Sequence, residues 1–321
     1  MMDWITQLSK LHILVIGDLI IDRYIYGSVD RISPEAPIPV VNQRGLDHRP
    51  GGAANVALNL HAMGIRCSLL TVTGADELGD LAQELVNYIE NPISAFIKDS
   101  GRVTTCKTRV MANLHHIVRI DHEDQTPIDG SITGQIIERI HSINEHQPID
   151  VVILQDYEKG VFHPANIPQI ISAVQLKNIP VIVDPKDKNF WYYKNVTLFK
   201  PNKSELEKAL GYKIKLDLKS IEVAEKDLRQ KLNNKISTIT LSEGGIFISD
   251  GVNHVWDRPS SREVIDVCGA GDAVVSVLAA LYGISRNLAE MVHVANIAGG
   301  LVCEISGVSP VPFERLVREL E

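Results

Sequence analysis

The stretch best suited to chemistry lies near the C-terminal end and reads Asp266-Val267-Cys268-Gly269-Ala270-Gly271-Asp272, followed by the apolar segment 273–282. Glycines let a backbone approach a ligand closely, and the free amides at a helix N-terminus favour an anion. The amides of Gly269, Ala270 and Gly271 would therefore form an anion cradle. An acid inside such a cradle suits a base that takes a proton from a hydroxyl group, which predicts that role for Asp272. The alternative is a glycine turn in which Asp272 caps a buried helix.

A second stretch, Arg49-Pro50-Gly51-Gly52-Ala53-Ala54-Asn55-Val56-Ala57, places two glycines at the predicted start of a helix. Asn55 and Asn59 are four residues apart and share one face of that helix. Paired amides on one face could bind sugar hydroxyls. The alternative is tight packing of the helix on a sheet through its small residues.

The third stretch is Lys200-Pro201-Asn202-Lys203-Ser204-Glu205, with an Asn-x-x-Glu spacing at a predicted helix start. An amide and a carboxylate within one turn can hold the water shell of Mg²⁺, which prefers oxygen ligands and keeps several waters. Asn is also a common N-cap and Glu a common third residue of a helix. A purely structural capping pair is therefore the alternative for Asn202 and Glu205.

These stretches must be positioned by a framework of alternating strands and helices. Apolar runs typical of strands occupy His12 to Ile16, Cys67 to Val72, Asp150 to Leu154, Val181 to Val183, Thr197 to Phe199 and Ser237 to Leu241. Helical periodicity is found over Ala53 to Met63, Leu78 to Ile89, Ile132 to His146 and Ile167 to Leu176. This alternation predicts an α/β protein with a mostly parallel sheet covered on both faces.

Two regions, near 23–43 and 103–121, interrupt the alternation. Their β-like runs are Arg23 to Tyr26, Ile38 to Val41, Thr104 to Met111 and His115 to Ile120, the last two on either side of Ala112-Asn113-Leu114. Hairpins inserted between α/β units would form a small sheet outside the main body. We expect this sheet to be a lid; the alternative is a hairpin without a function.

Composition excludes several classes of function. The 321 residues include 32 basic and 40 acidic side chains, and no basic stripe is present that would follow a nucleic acid. The four cysteines form no C-x-x-C pair, which argues against a zinc or disulfide framework and favours a reducing, cytoplasmic compartment. No apolar run reaches the roughly 20 residues that a membrane span requires. We expect one domain over residues 1–321.

In chain order, the three stretches resemble the signatures of the ribokinase, or phosphofructokinase-B, family: Gly-Gly near the N-terminus, Asn-x-x-Glu in the middle and Gly-Ala-Gly-Asp near the end. The resemblance covers essentially the whole chain. It implies a ribokinase-like three-layer α/β/α sandwich with a mostly parallel central sheet and a small β-sheet lid. It also implies ATP-dependent phosphorylation of a sugar, with Mg²⁺ as cofactor and a monovalent cation as a further candidate. Lid sheets in this family often pair between subunits, which predicts a homodimer.

The same resemblance implies roles for single residues. Those that would hold the sugar are Asp22, Gly51, Gly52 and Asn55. Those that would lie along ATP are Ser242, Gly244, Gly245 and Asn296. Asp272 would be the base beside the amides of Gly269, Ala270 and Gly271, while Asn202 and Glu205 would order Mg²⁺ through water.

Finer features resemble the D-glycero-β-D-manno-heptose 7-phosphate kinases of bacterial ADP-heptose and lipopolysaccharide synthesis. They are Gly17-Asp18, Asp22-Arg23-Tyr24, the runs 31–37 and 49–57, Asp156-Tyr157, Lys159-Gly160 and Asp184-Pro185-Lys186. This implies transfer of phosphate to the C1 hydroxyl, giving the 1,7-bisphosphate. The distal phosphate needs positive charge, for which Arg109 and Lys186 rank before Lys107 and Arg119.

Some features limit this resemblance. Cys268, Lys200 and Ala273 stand where most relatives carry a hydroxyl-bearing residue. The H-x-G-H sequence of a fused nucleotidylyltransferase is absent, so we expect a stand-alone kinase.

Three rival functions remain open. A ribokinase-type enzyme could act on fructose, ribose or a nucleoside, or a relative could bind sugar without catalysis. An NAD-dependent enzyme is disfavoured because Gly269-x-Gly271 lacks the third glycine of a dinucleotide-binding turn. No P-loop sequence is present.

Overall fold

The structure is a computed structural model that describes residues 4–87, 95–112 and 115–321. Thirteen strands lie in this part of the chain. They are β1 His12–Gly17, β2 Leu19–Ile32, β3 Pro39–Gly52, β4 Arg66–Gly74, β5 Ala95–Asp99, β6 Cys106–Ala112, β7 His115–His122, β8 Val151–Gln155, β9 Val181–Asp184, β10 Leu198–Phe199, β11 Ile236–Thr240, β12 Ile246–Ser249 and β13 His254–Asp257.

Nine of these strands form the central sheet, in the order β13-β12-β11-β10-β9-β8-β1-β4-β5. Strands β11 to β5 in this order are parallel to their neighbours, whereas β12 and β13 run antiparallel at one edge. Every residue of β1, β8 and β9 is buried. Continuous apolar runs of this kind are typical of parallel strands covered on both faces. The predicted sheet is confirmed.

Helices cover both faces of the sheet. They are α1 Ile5–Leu8, α2 Ala53–Ala62, α3 Glu77–Val86, α4 Gly130–His146, α5 Ile167–Gln175, α6 Lys203–Leu210, α7 Leu218–Leu232, α8 Ala270–Gly283, α9 Leu288–Cys303 and α10 Phe313–Leu320. One apolar core joins α2, α8 and α9 to one face of the sheet, and a second joins α4, α5 and α7 to the other. The three-layer sandwich is therefore present. Among the described helices, none has the length and apolar character that a membrane span needs.

The other four strands form a separate sheet in the order β3-β2-β6-β7. Its two hairpins are antiparallel, but they join through a parallel pair, β2 with β6. The small sheet was predicted, yet its first hairpin is longer than expected because β2 and β3 pair from Leu19 with Gly52 to Ile32 with Pro39. Asp22, Gly51 and Gly52 therefore lie on strands of this sheet.

Several elements differ from the sequence-based expectation. The helix expected over Leu78 to Ile89 ends at Val86, and residues 88–94 lie outside the described part of the chain, as do 113 and 114. The short strands β5, β12 and β13 were not predicted, because runs of four or five residues carry too little periodicity to distinguish a strand from a loop.

Candidate active site

The glycine-rich stretch forms the start of α8. Gly269 is the N-cap residue with φ of 83°, a left-handed conformation that glycine adopts without strain. The amide of Ala273 donates to the carbonyl of Gly269 (3.0 Å), which is the first α-helical hydrogen bond of α8. The amides of Gly271 and Asp272 precede that bond, so they are available to an anion at the positive end of the helix dipole. Of the three amides predicted for the cradle, that of Ala270 already donates to the carbonyl of Val267 (3.4 Å).

Asp272 lies in the first turn of α8 and is only 3% exposed. Its Oδ2 accepts a hydrogen bond from Asn55 Nδ2 (2.7 Å). Its Oδ1 accepts from Gln155 Nε2 (3.1 Å) and from the hydroxyl of Tyr157 (2.8 Å). The helix has no side-chain cap, because Gly269 occupies that position. The capping alternative for Asp272 is therefore wrong.

Burial changes the acidity of this carboxyl group. Desolvation is the largest influence and raises the pKa of Asp272 to about 6, helped by the nearby charge of Asp184. The hydrogen bonds from Asn55 and Tyr157 and the charge of Lys200 act in the opposite direction and limit the rise in pKa. A carboxylate with a pKa near neutrality is a stronger base than an exposed aspartate and is still ionised at pH 7.

Three polar residues at the carboxyl ends of neighbouring strands complete the surroundings of Asp272. Gln155 Nε2 also donates to Asp184 Oδ2 (3.1 Å), and Asp184 Oδ1 is paired with Lys200 Nζ (3.0 Å). Lys200 is 3% exposed. A methyl group at Gly271 would lie 3.9 Å from both Asp184 Oδ2 and Lys200 Nζ, so this ion pair borders the anion cradle. The buried cation adds positive charge beside the amides.

Sequence reasoning did not place Gln155, Tyr157, Asp184 or Lys200 in the site. The signal was present, since each follows or ends a buried apolar strand. Ligands of open α/β sheets bind outside the carboxyl ends of the strands, where these side chains gather.

The sheet β3-β2-β6-β7 is called the lid sheet below, after its predicted role. The residues assigned to the sugar gather where this sheet joins the main body. Asp22 on β2 pairs with Arg49 on β3, and its carboxylate accepts a hydrogen bond from Arg109 on β6. A methyl group at Gly51 would collide with the Asp22 carboxylate, and Gly52 has φ of 60°, so both positions favour glycine. The structure therefore brings Asp22, Gly51 and Arg109 together.

Helix α2 begins at this junction and carries two buried asparagines. Asn55 reaches Asp272, as described above. Asn59 instead donates to the carbonyl of Asn55 (2.8 Å), and its Oδ1 accepts from the amide of Val311 (2.8 Å). The two amides therefore do not act as a pair, and Asn59 has a structural role.

Asn202 and Glu205 form a complete capping box at the start of α6. Asn202 Oδ1 accepts from the amide of Glu205 (2.9 Å), and Glu205 Oε2 accepts from the amide of Asn202 (2.8 Å). Glu205 Oε1 accepts from Lys186 Nζ (2.7 Å). The capping box is therefore present, and the additional magnesium role of the pair stays a prediction. Because a carboxylate oxygen accepts about two hydrogen bonds, Glu205 can still bind the water shell of Mg²⁺.

The residues assigned to ATP lie beyond β11. Ser242–Gly244 form a short 3-10 helix, and Gly245 follows with φ of 82°. Asn296 on α9 is 9% exposed, and its amide donates to Asp257 Oδ2 (2.7 Å). Asp257 pairs with Ile246 across the β12–β13 hairpin, which places Asn296 beside the Gly245 turn. The nucleotide assignments stay predictions.

Comparison with known proteins identifies related sequences. The profile described as "pfkB family carbohydrate kinase" matches residues 10–314. The "Bifunctional protein HldE" of Campylobacter curvus is 37% identical over 313 residues, which are 97% of this chain and 66% of that protein. The protein of the same name from Trichlorobacter lovleyi is 38% identical over 305 residues, 94% of this chain and 61% of that protein. The chain thus spans less than two thirds of the length of these curated relatives.

Solved structures share the fold at lower identity. Phosphofructokinase-2 from Escherichia coli in complex with potassium superposes with a TM-score of 0.79 at 19% identity, covering 96% of this chain and 97% of that chain. The ribokinase of Arabidopsis thaliana, complexed with ribose and ATP, gives a TM-score of 0.74 at 17% identity and covers 96% of this chain and 98% of that chain. The fold is therefore ribokinase-like.

Proposed function

We propose a catalytic base and an acceptor for this chain, which belongs to the pfkB family of carbohydrate kinases and is an ATP-dependent sugar kinase. The base is Asp272, and the acceptor is heptose 7-phosphate. The observation that supports the base assignment is the buried Asp272 carboxylate at the amide-rich start of α8. An acid so placed faces both the acceptor and the anion cradle.

The reaction needs one proton transfer and one exchange of bonds at phosphorus. As the acceptor hydroxyl attacks, its proton passes to the Asp272 carboxylate, which becomes a neutral carboxylic acid. A bond forms between the acceptor oxygen and the γ-phosphorus, and the bond to the bridging oxygen of ADP breaks. Asp272 loses the proton to solvent before the next turnover.

The chain supplies positive charge where negative charge develops. The amides of Gly269, Gly271 and Asp272 and the ammonium of Lys200 border the place where the transferred group would lie. Mg²⁺ would neutralise phosphate charge, and Asn202 and Glu205 fit a water-mediated site for it better than direct ligation, because their oxygens already accept hydrogen bonds. A monovalent cation is a further proposal.

Two observations support heptose 7-phosphate as the acceptor. The residues between Gly17 and Lys186 resemble heptose 7-phosphate kinases, and curated relatives at 35–39% identity bear the name "Bifunctional protein HldE". Arg109 contacts Asp22 at the lid junction, whereas Lys186 contacts Glu205 and lies over the ring of Tyr157. We therefore assign the distal phosphate to Arg109 and place Lys186 nearer to the phosphates of ATP.

An acceptor panel tests this function. ADP release is measured with heptose 7-phosphate, fructose 6-phosphate, fructose, ribose and a nucleoside. The proposal expects the highest kcat/KM with heptose 7-phosphate. An Arg109→Gln variant should raise KM for that acceptor about tenfold or more, the effect of losing one charge-assisted hydrogen bond, without the same change in KM for ATP. A higher kcat/KM with an unphosphorylated sugar would overturn the heptose assignment.

The cellular location and the oligomeric state of the enzyme are also proposals. We infer a cytoplasmic protein that forms a homodimer through the sheet β3-β2-β6-β7, because β7 is exposed along its length and carries Ile117, Val118 and Ile120 on an open edge. Open apolar edges associate readily.

A further inference from the structure

Tyr157 connects the base to a buried carboxylate that the reaction does not use. Its hydroxyl donates to Asp272 Oδ1 (2.8 Å), and its backbone amide donates to Asp18 Oδ2 (2.8 Å). Asp18 follows β1 and Tyr157 follows β8, two adjacent strands of the central sheet. One residue therefore contacts the base with its side chain and the framework with its main chain.

Asp18 holds the whole segment 157–161. It is 1% exposed and also accepts from the amides of Lys159 (3.1 Å) and Val161 (3.1 Å). Gly160 has φ of 88°, and a methyl group there would collide with the carbonyl of Thr126. Three amides on one buried carboxylate, together with this glycine turn, fix the position of the Tyr157 main chain.

We propose that Tyr157 is a positioning residue for the base: its hydroxyl, held in place by the Asp18 clamp, orients the Asp272 carboxylate so that Oδ2 takes the proton of the acceptor. This inference rests on the proposed role of Asp272 as base.

The choice of oxygen follows from counting hydrogen bonds. A carboxylate oxygen accepts about two hydrogen bonds. Oδ1 already accepts from Gln155 and Tyr157, whereas Oδ2 accepts only from Asn55 among the described residues. The remaining acceptor site on Oδ2 is the one open to an acceptor hydroxyl.

The hydroxyl of Tyr157 acts toward Asp272 only as a hydrogen-bond donor. Burial and the neighbouring charge of Asp272 raise the pKa of Tyr157 well above its ordinary value, so the hydroxyl keeps its proton throughout the working range. A donor to the ionised carboxylate favours the charged form, which is the form that acts as a base. Removing this donor must therefore raise the pKa of Asp272.

The other charges around Asp272 are the same in a Tyr157→Phe variant. Asp184 at the end of β9 and Lys200 just after β10 lie near the carboxylate, and they act on its pKa in opposite directions. Lys186 Nζ lies 5.3 Å from the centre of the Tyr157 ring, a contact that phenylalanine retains. The variant therefore changes one hydrogen bond and leaves the charges in place.

The test is the pH dependence of kcat/KM in Tyr157→Phe, measured with whichever acceptor of the panel gives the highest ADP release. We expect the midpoint of the acid limb to rise by about one pH unit, the shift that a tenfold change in proton affinity produces. Activity should fall about tenfold on the acid side and less at high pH, while KM for ATP stays as in the wild type.

Tyr193→Phe is the matched control. The hydroxyl of Tyr193 donates to another buried carboxylate, Asp156 Oδ2 (2.7 Å), and does not contact Asp272. Thermal unfolding shows whether both variants lose comparable stability. The control should keep the wild-type acid limb.

Two results would overturn the inference. One is an acid limb in Tyr157→Phe that coincides with that of the wild type, and the other is an equal displacement in Tyr193→Phe. Asp272→Asn separates this failure from failure of the proposed function. If that variant is inactive while Tyr157→Phe is unshifted, the base assignment stands and only the role of Tyr157 is lost.

Discussion

At the scale of single residues, Asp272 shows how burial and hydrogen bonds set the strength of a base. Desolvation raises its pKa to about 6, while Asn55, Tyr157 and Lys200 keep the carboxylate from becoming a permanently neutral acid. The group is therefore basic enough to accept a proton and acidic enough to be ionised near neutral pH. Both activity and stability should depend on this balance.

Asp272→Asn should abolish most of the activity. The amide keeps the shape of the side chain but cannot accept the proton, and general-base catalysis contributes about 10²–10⁴-fold. We expect kcat to fall by that factor, with KM for ATP nearly unchanged. The measurement is ADP release under saturating substrates. A variant that retained more than about a tenth of wild-type kcat would contradict the assignment of Asp272 as base.

The same substitution should change how the stability of the protein depends on pH. The native state raises the pKa of Asp272 from 3.8 to about 6, so protonation of this group stabilises the folded protein. This contribution to the free energy of unfolding is fully present below about pH 4 and is lost as the pH rises through about 6. Asparagine does not titrate, so the stability of the variant relative to that of the wild type should rise by up to about 3 kcal/mol between low pH and pH 8. Urea unfolding at pH 4.5 and pH 8 measures the difference. A gain that is the same at both pH values would show that it does not come from the ionisation of Asp272.

At the scale of elements, the proposed site is built on helix starts at the carboxyl edge of the sheet. The start of α8 provides free amides, and the start of α6 carries the capping box beside Lys186. Both are helix N-termini, where unpaired amides and the helix dipole favour anions. Substitutions at these starts should separate catalytic roles from structural ones.

Gly271→Ala should impair catalysis without harming the fold. The added methyl group meets nothing closer than 3.9 Å, but it projects toward the Asp184–Lys200 pair at the cradle. Alanine also favours a helix over glycine by about 0.5–1 kcal/mol. We expect Tm to stay level or rise while kcat falls at least about tenfold, since blocking one such donor costs about 10²–10³-fold.

Gly134→Ala on α4 is the control for this change. Its methyl group would meet nothing within 4 Å, so it gains the same helix preference far from the cradle. This variant should keep wild-type kcat. Equal kcat in the two variants would show that the backbone at Gly271 does not approach the transferred group.

The Asn202→Ser variant tests whether Asn202 only caps α6 or also orders the water shell of Mg²⁺. Serine is an equally good N-cap, so Tm should hold. If Asn202 also orders the water shell, the Mg²⁺ concentration for half-maximal activity should rise by about tenfold, as outer-shell substitutions commonly cause. Asp217→Asn changes the N-cap of α7 and should leave the Mg²⁺ requirement as it is. An unchanged requirement in Asn202→Ser would leave Asn202 as a cap alone.

At the scale of the whole molecule, two apolar cores and one lid sheet set the arrangement. The cores lie on opposite faces of the central sheet, and we propose that residues 1–321 fold as one unit with the lid sheet as an appendage. The proposed base and anion cradle belong to the sandwich, whereas Asp22 and Arg109 belong to the lid sheet. A movement of the lid sheet would therefore change the acceptor side of the site.

The homodimer is tested on the open edge of the lid sheet. Ile120 on β7 is 56% exposed, and Ile120→Asp would place a charge on the proposed interface. Sedimentation at micromolar concentration should give a dimer for the wild type and a monomer for this variant. Val252→Asp, at a side chain that is 89% exposed between β12 and β13, should remain dimeric. A monomeric wild type would contradict the proposal.

Local pattern was enough to predict several parts of this protein. The parallel strands were predictable because their apolar runs are continuous, and helix α8 because glycines precede an apolar segment. Asp272 could be singled out because an acid among anion-binding amides has few uses other than as a base. These inferences depend on neighbours in sequence, where the physical interactions are local.

Only the tertiary structure decided which side chains meet. Tyr157 lies 115 positions from Asp272 along the chain, and Asn55 lies 217 positions away, yet both contact its carboxylate. The order of strands in the sheet brings the ends of β8, β9 and β10 to one edge, and no local pattern records that order. The pKa of Asp272 was equally hidden in the sequence, because desolvation depends on everything packed around the group.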